Sequence, residues 1–306
     1  MNLILAVYNE YKRNKNSKIR YYNFWKDQLP HEMWFSKFIQ NRGINTDKTI
    51  NFYSVLGPIE IIKHQRKGVN IFFSGENLQA ERFEDYKKLR DKNTFDLYLD
   101  FNEKEDEKHL RFPLWLHYIF PPDSTYNDVK QKVAQLNETQ NKDREKFCSL
   151  VAGHDFNGIR GKIFSTLADI DEIDSGGGFL HNNDDLRNKY NNVKHDFICN
   201  YKFNICPENS DSAGYVTEKI FQSIAAGCIP VYWGANGNPE PDILNKNAII
   251  FWNENNFSDT KKIISEINCS KSVYYDFISQ PRFLPNAENV VWQYFEKLET
   301  KLRNIL

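Results

Sequence analysis

The sequence predicts an α/β protein of two domains, in which strands and helices alternate along the chain. Residues 201–234 read as a strand, a loop, a helix and a second strand, which is the repeating unit of a parallel nucleotide-binding sheet. The same alternation extends on both sides of this segment, from residue 147 to residue 268. With roughly 150 residues per domain, the length of 306 residues suggests two domains.

In the first half, short apolar runs mark the predicted strands. The opening run NLILAVY, at 2–8, reads as a first strand rather than a signal peptide, because it is short and lacks a basic leader. Further strands are predicted at 69–75 and 95–101. The polar, helix-like segment 126–146 reads as a connector, so the first domain is expected to span 1–145.

The second domain, 146–306, opens with the predicted strand FCSLVAG and an amphipathic helix at 159–170. Helices at 194–200 and 258–268 continue the alternation, together with the unit at 201–234. The last segment has apolar residues at helical spacing and is assigned to the second domain as its terminal helix. These residues are Val290, Val291, Tyr294, Phe295, Leu298 and Leu302.

Composition and charge exclude several classes of protein. A net charge of −1 leaves no basic excess to neutralise nucleic-acid phosphates, and no apolar stretch approaches the roughly 20 residues of a membrane span. The five cysteines form no Cys-x-x-Cys pair and mostly lie in apolar runs, which favours a reduced, cytosolic compartment. No histidines stand at metal-ligand spacing, and Asp169 and Asp171 are interpreted as surface charge rather than a metal-binding DxD, so no metal site is predicted.

The helix that follows the strand at 201–206 begins with an unusual cation. Thr217 is the predicted N-cap, and Lys219 lies in the first turn, where the helix dipole disfavours positive charge. An anion bound beside the free N–H groups of the helix would explain this lysine, and Glu218 could then accept hydrogen bonds from sugar hydroxyls. The alternative is a solvated lysine next to an ordinary acidic first-turn residue. This segment alone does not decide between the two interpretations.

Several motifs stand in an order that is typical of one enzyme family. In the second domain these are Tyr201-Lys202-Phe203-Asn204, Glu208-Asn209, Gly214-Tyr215-Val216-Thr217-Glu218-Lys219-Ile220 and Ile229-Pro230-Val231-Tyr232-Trp233-Gly234. Upstream are Ile159-Arg160, the glycines 176–178, Phe73-Ser74-Gly75-Glu76-Asn77 and Leu110-Arg111-Phe112-Pro113-Leu114. In sequence and spacing they resemble the α-1,3/1,4-fucosyltransferases of glycosyltransferase family 10, the bacterial members especially.

The resemblance implies a GT-B glycosyltransferase fold, in which two Rossmann-like domains face a cleft. Residues 1–145 would bind the acceptor and 146–306 would bind GDP-fucose. In the family, the Arg of the Ile-Arg pair and the Lys of Thr-Glu-Lys neutralise the diphosphate of the donor, and here these are Arg160 and Lys219. The Glu of Thr-Glu-Lys contacts the donor sugar, here Glu218. The remaining implied donor contacts are Asn209, Tyr215, Val216 and Thr217.

The resemblance also implies a general base in the first domain, Glu76 of Gly-Glu-Asn. Inverting transfer builds negative charge on the departing diphosphate, which fixed cations stabilise, and a carboxylate must take the proton of the attacking hydroxyl. Glu76 follows an apolar strand at a Ser-Gly turn, where a side chain leaves the carboxyl edge of a sheet. Without the resemblance, Glu76 would read as a solvated loop carboxylate and Arg160 as a surface helix residue.

The sequence therefore predicts an inverting α-1,3-fucosyltransferase that moves L-fucose from GDP-β-L-fucose to the 3-hydroxyl of GlcNAc, or glucose, in a β-galactoside such as N-acetyllactosamine. A Lewis x type product in bacterial surface polysaccharide is expected. No tightly bound cofactor is expected, and Mn²⁺ or Mg²⁺ would at most stimulate the reaction. The expected location is cytoplasmic, with at most peripheral membrane attachment. Two alternatives stay open: a GT-B enzyme that uses another nucleotide sugar, and a non-catalytic carbohydrate- or nucleotide-binding module.

Overall fold

The computed structural model describes residues 3–138 and 143–306, and they form two compact units. The first unit comprises Met1–Tyr126 together with Val291–Leu306, and the second comprises Asn127–Val290. The division thus falls at the first residue of the connector helix rather than near residue 145, and part of that predicted helix, 139–142, lies outside the described residues. Within the described residues, no helix is both long and apolar enough to cross a bilayer.

The first unit is built on a five-stranded parallel sheet whose strands follow one another in chain order. In register, Ile19 lies opposite Ile50, which in turn lies opposite Val69. The predicted strands at 69–75 and 95–101 are confirmed, but three strands were not predicted, because each is short and mixes polar with apolar residues. The strands are β1 (Ile19–Tyr22), β2 (Ile50–Tyr53), β3 (Val69–Phe73), β4 (Leu97–Asp100) and β5 (His109–Arg111).

The opening apolar run is a helix, not the strand that the sequence predicts. Helix α1 (Leu3–Asn14) buries Ala6, Glu10 and Asn14, which recur every fourth residue and therefore form one helical face. Asn14 Nδ2 donates to the Tyr21 carbonyl of the edge strand β1 at 2.8 Å, and Oε1 of Glu10 accepts from the N–H of Asn23, just after that strand, at 3.1 Å. The apolar residues that suggested a strand are largely exposed. The other helices before the boundary are α2 (Trp34–Asn41), α3 (Glu84–Asp91) and α4 (Leu114–Ile119).

The second unit is also built on a five-stranded parallel sheet, with the order β10-β9-β8-β6-β7. Cys148 lies opposite Ile173 on one side and opposite Phe203 on the other, so β6 lies between β7 and β8. The chain therefore runs outward from β6 to β7 and returns to the other side of β6 at β8. The strands are β6 (Lys146–Leu150), β7 (Ile173–Ser175), β8 (Tyr201–Ile205), β9 (Ile229–Tyr232) and β10 (Ile250–Phe251).

Helices cover this sheet with apolar faces, as the alternation in the sequence predicts. In α9 (Glu218–Ala225), Ile220, Phe221 and Ile224 are buried, and they recur at helical spacing. The core of the unit joins side chains of α6 and α10 to the strands. The helices are α5 (Tyr126–Glu138), α6 (Ile159–Leu167), α7 (Asp185–Asn188), α8 (Lys194–Ile198), α9, α10 (Phe257–Cys269) and α11 (Lys271–Ile278).

The terminal helix α12 (Ala287–Ile305) has the predicted apolar stripe but belongs mainly to the first unit. Val291, Phe295 and Leu298 are fully buried or nearly so. Phe295 packs against Trp34 of α2 with ring centroids 6.0 Å apart. Because the stripe packs against aromatic residues of the first unit, its assignment to the second domain was wrong, although its helical state was correctly predicted.

Candidate active site

Polar side chains gather at the carboxyl edge of the second sheet, after β6, β8 and β9. The sheet reverses its winding between β6 and β8, because the connection from β6 leads to one side and β8 lies on the other. In open parallel sheets, ligands bind in the crevice at such a reversal point. Arg160, at the start of the helix that follows β6, and Asn209, in the loop that follows β8, meet here.

Arg160 is held rigidly at this edge. It is the second residue of α6, and only 4% of it is exposed. Its guanidinium donates to the carbonyl of His154 at 2.6 Å and to Oδ1 of Asn209 at 2.8 Å. Burial lowers the pKa of Arg160, but the nearby carboxylates of Asp155 and Glu208 oppose that shift. An arginine stays protonated in such surroundings, so the position presents a fixed positive charge.

Lys219 is held by a carboxylate that the sequence analysis noted only as part of a motif. Glu208 is fully buried, and its Oε2 accepts from Lys219 Nζ at 3.0 Å. Burial alone would lower the pKa of Lys219, but Glu208 and Glu218 outweigh it and raise that pKa. Gly234, after β9, approaches Glu208 so closely that a Cβ there would lie 2.8 Å from Cγ of Glu208. Because glycine has no Cβ, Gly234 at the end of the Trp-Gly motif leaves room for the side chain of Glu208.

Thr217 is the N-cap residue of α9, as predicted, but its side chain makes no capping hydrogen bond. Its hydroxyl donates instead to Oε2 of Glu208 at 2.7 Å, and its N–H donates to Oε1 at 2.7 Å. The side chain of Thr217 therefore does not occupy the first-turn N–H groups of α9. N–H groups at a helix start, together with Lys219, form an arrangement that suits a phosphate.

A third cation, Lys194, lies close to these groups and was missed by the sequence analysis. It is the first residue of α8, and its ammonium group donates to Oε1 of Gln222 at 2.8 Å. Burial lowers the pKa of Lys194; the carboxylate of Glu218 opposes this shift, and the charges of Lys219 and Arg160 add to it. Strand β8 lies between Lys194 and Lys219 in the chain, so no local sequence motif contains both lysines.

The other implied donor residues have different surroundings. Glu218 is half-buried in the first turn of α9 and interacts electrostatically with Lys194 and Lys219. Tyr215 and Val216 are 1% and 0% exposed, so their side chains pack in the interior. Their implied contacts with the nucleotide stay a prediction.

Glu76 lies in the first unit, in the loop that follows β3. Gly75, immediately before it, has φ of 61°, a left-handed conformation that favours glycine. The carboxylate of Glu76 forms an ion pair with Arg82, with Nη2 and Oε2 3.2 Å apart. The side chain of Glu76 is 22% exposed and that of Arg82 is 41% exposed. The strand-to-turn context of Glu76 is confirmed, and its role as the base stays a prediction.

The run of three glycines allows a close backbone approach. A Cβ on Gly177 would lie 2.2 Å from the carbonyl oxygen of Ala152, in the loop that leads from β6 to α6. At Gly178 the nearest atom is 3.5 Å away, which is an ordinary contact. None of the three has a positive φ. This run therefore packs against the loop that leads to Arg160.

The Asp169 and Asp171 pair has the surface role that the sequence analysis assigned to it. Asp169 pairs with Lys261 at 2.7 Å, and Asp171 accepts a hydrogen bond from Asn268 at 3.2 Å. Across residues 3–138 and 143–306, no group of three or more His, Cys, Asp or Glu side chains could hold a metal ion.

Two models of known protein families together match most of the chain. A family model for the N-terminal domain of α-(1,3)-fucosyltransferase FucT matches residues 19–118. A model for the C-terminal region of glycosyltransferase family 10 matches residues 139–289. The second match contains every residue of the polar cluster described above.

Curated relatives agree with these models. An α-(1,3)-fucosyltransferase FucT of Helicobacter pylori is 26% identical over 253 residues, covering 74% of this chain and 50% of that protein. A GDP-fucose protein O-fucosyltransferase 3 of Xenopus laevis is 32% identical over 113 residues, covering 35% of this chain and 24% of that protein. The chain thus spans at most about half the length of these two relatives.

Among solved structures, a crystal structure of an α1,3-fucosyltransferase with GDP-fucose superimposes with a TM-score of 0.60 at 21% identity. The match covers 93% of this chain and 89% of the other. This structural similarity confirms the predicted α/β architecture and the predicted GT-B glycosyltransferase fold. Since the two family models together account for most of the sequence, the chain belongs to glycosyltransferase family 10, the fucosyltransferases.

Proposed function

We propose that this protein is an inverting α-1,3-fucosyltransferase that uses GDP-β-L-fucose as its donor. The observation that carries the proposal is the contact between Arg160 and Asn209 at the reversal point of the second sheet, beside a lysine fixed at the start of α9. Two fixed cations and a helix N-terminus suit a diphosphate better than any neutral ligand. The family match supports fucose as the sugar transferred.

In the proposed reaction, Arg160 and Lys219 bind the diphosphate and stabilise the negative charge that it gains as the bond to fucose breaks. Because Asn209 and Glu208 already hold the two cations in place, little reorganisation is needed during the reaction. Glu218 would accept hydrogen bonds from fucose hydroxyls. Lys194 would add to the positive potential without direct contact with the sugar.

Glu76 is the proposed general base. It would take the proton of the acceptor hydroxyl as the oxygen attacks the anomeric carbon, with inversion from β in the donor to α in the product. The guanidinium of Arg82, which pairs with its carboxylate, would orient Glu76 for this step. The proposed acceptor hydroxyl is the 3-hydroxyl of GlcNAc, or of glucose, in a β-galactoside, which gives a Lewis x type product.

Turnover with GDP-fucose and N-acetyllactosamine tests the proposal. Glu76→Gln should abolish transfer while GDP still raises the melting temperature, because the donor residues are intact. Arg160→Ala should weaken both donor binding and rate, whereas Lys162→Ala, on the exposed side of the same helix, should change neither. Larger stabilisation by GDP-mannose, a UDP-sugar or CMP-sialic acid than by GDP-fucose would point to another donor. Donor binding without transfer to any glycan of an acceptor panel would indicate a non-catalytic module.

A further inference from the structure

A cavity of about 360 Å³ opens at the carboxyl edge of the first sheet, and none of the proposed donor residues lines it. This volume lies within the range of about 300–1,000 Å³ that is typical of small-molecule sites. Its aromatic wall consists of Trp25, Trp34, His117 and Tyr118. Trp25 follows β1 and His117 belongs to α4, so distant parts of the first unit create this wall.

The imidazole of His117 is the centre of the aromatic wall. Its ring centroid lies 5.4 Å from that of Trp25, 5.5 Å from that of Trp34 and 6.1 Å from that of Tyr118. Burial lowers the pKa of His117 to about 4, so the ring is neutral at physiological pH. A neutral imidazole offers one hydrogen-bond donor and one acceptor and presents no charge to a ligand.

The indole groups differ in how much of their surface a ligand could reach. Trp34 is 6% exposed, and its Nε1–H is already used, because it donates to the carbonyl of Phe120 at 2.9 Å. Trp25 is half-buried, and Tyr118 is 50% exposed. The rings of Trp25 and Tyr118 can therefore stack on a ligand. His117 packs against both of these rings, and Trp34 packs against His117.

The rim of the cavity is polar and slightly acidic. Asp27, Glu32 and Lys37 line it, and all three residues are exposed. With two carboxylates and one ammonium, these lining side chains disfavour a phosphate or a nucleotide, and the nearby guanidinium of Arg13 already donates to the carbonyls of Trp25 and Gln28. Carboxylates beside aromatic rings suit a neutral polyol, since the carboxylates accept from hydroxyls and the apolar C–H face of a pyranose packs on a ring.

The cavity adjoins the strand whose following loop carries the proposed base. Phe73 is the last residue of β3, and Glu76 follows in the next loop. The ring of Phe73 lies 6.2 Å from that of Trp25 and 6.2 Å from that of His117. A sugar in the cavity would thus lie at the same edge of the sheet as Glu76.

We propose that this cavity binds a neutral pyranose unit of the acceptor, with Trp25 and Tyr118 as stacking surfaces and Asp27 and Glu32 as hydroxyl acceptors. This inference rests on the proposed fucosyl transfer, and it names the part of the first unit that selects the acceptor. The lactosamine galactose and GlcNAc rings are both neutral pyranoses and both fit this chemistry.

The test measures acceptor KM, donor KM and the hydrolysis of GDP-fucose by water in the full chain. Trp25→Ala and Asp27→Asn should each raise the KM for N-acetyllactosamine about tenfold, which corresponds to about 1.4 kcal/mol. Donor KM and donor hydrolysis should not change. Tyr8→Ala, which removes a 58% exposed aromatic ring elsewhere in the same unit, is the matched control and should leave all three values unchanged.

The outcomes separate this inference from the proposed function. If the wild type transfers fucose and both cavity variants keep the wild-type acceptor KM, the cavity is not the acceptor subsite and the proposed function stands. If the wild type transfers no fucose, titration of N-acetyllactosamine against tryptophan fluorescence decides. Saturable quenching that is lost in Trp25→Ala would support a sugar site, and its absence would overturn the inference. Circular dichroism of each variant shows whether it is folded.

Discussion

Replacing Glu208 by Gln tests whether one buried carboxylate organises the polar cluster of the second unit. In the wild type, this carboxylate accepts from the N–H and hydroxyl of Thr217, each at 2.7 Å, and from the ammonium of Lys219 at 3.0 Å. Glutamine has nearly the same shape, but one acceptor oxygen becomes an NH₂ group. That NH₂ would face groups that can only donate or that already donate, so at least one hydrogen bond is lost.

The expected loss of stability follows from the burial of the pair. Glu208 is fully buried and the Lys219 side chain is 18% exposed, so the variant leaves a mostly buried ammonium without its hydrogen-bonded counterion. Breaking one partner of a buried ion pair costs about 3–5 kcal/mol. Because Lys219 keeps some contact with water, we expect the free energy of unfolding to fall by about 3 kcal/mol, at the lower end of that range. Donor affinity should fall as well, since Lys219 loses its fixed position.

Urea unfolding of the full chain, followed by circular dichroism, measures this loss in Glu208→Gln, Lys219→Met and the double variant. The double variant removes both charges, so its loss should be smaller than the sum of the two single losses by at least about 1.5 kcal/mol. Glu254→Gln is the matched control, because Glu254 forms an exposed ion pair with Lys162 and should cost at most about 0.5 kcal/mol. A loss in Glu208→Gln no larger than the control, or additive single losses, would refute the reasoning.

Three further predictions address other parts of the molecule. Lys194→Met should weaken GDP-fucose binding about tenfold in calorimetry but leave the melting temperature equal or higher, because it removes a half-buried positive charge that Lys219 and Arg160 repel; Lys162→Met should change neither. Gly177→Ala should lower the unfolding free energy in urea by about 1–3 kcal/mol, since its methyl would meet a backbone oxygen at 2.2 Å, whereas Gly178→Ala should behave as wild type. Between pH 6.5 and pH 4, the free energy of unfolding in urea should fall by about 2.5 kcal/mol more in the wild type than in His117→Phe, because the unfolded chain protonates His117 in that range and the folded chain is only half protonated at pH 4.

The sequence by itself determined the family and most of the second sheet. Residues 201–234 form the predicted strand, loop, helix and strand, because the apolar pattern that identifies them is local and complete within one segment. Arg160 and Asn209, which the resemblance implies as two separate donor contacts, are hydrogen-bonded to each other in the structure. A motif within one continuous segment predicts the local structure of that segment, because the geometry of a strand followed by a helix varies little from one parallel sheet to another.

Only the tertiary structure decided which elements pack together and which charged side chains lie close enough to interact. The run NLILAVY has few polar residues, so its pattern does not distinguish a strand from a helix. The contact of Asn14 with the edge strand, and that of Glu10 with the residue just after this strand, decide between the two. The terminal helix joins the first unit because its apolar stripe packs on aromatic residues far away in the chain. Likewise Lys194 and Lys219, which are far apart in the chain, interact electrostatically because the fold of the second unit brings them close together. Packing and electrostatic energies depend on distances in space, and a single sequence does not contain those distances.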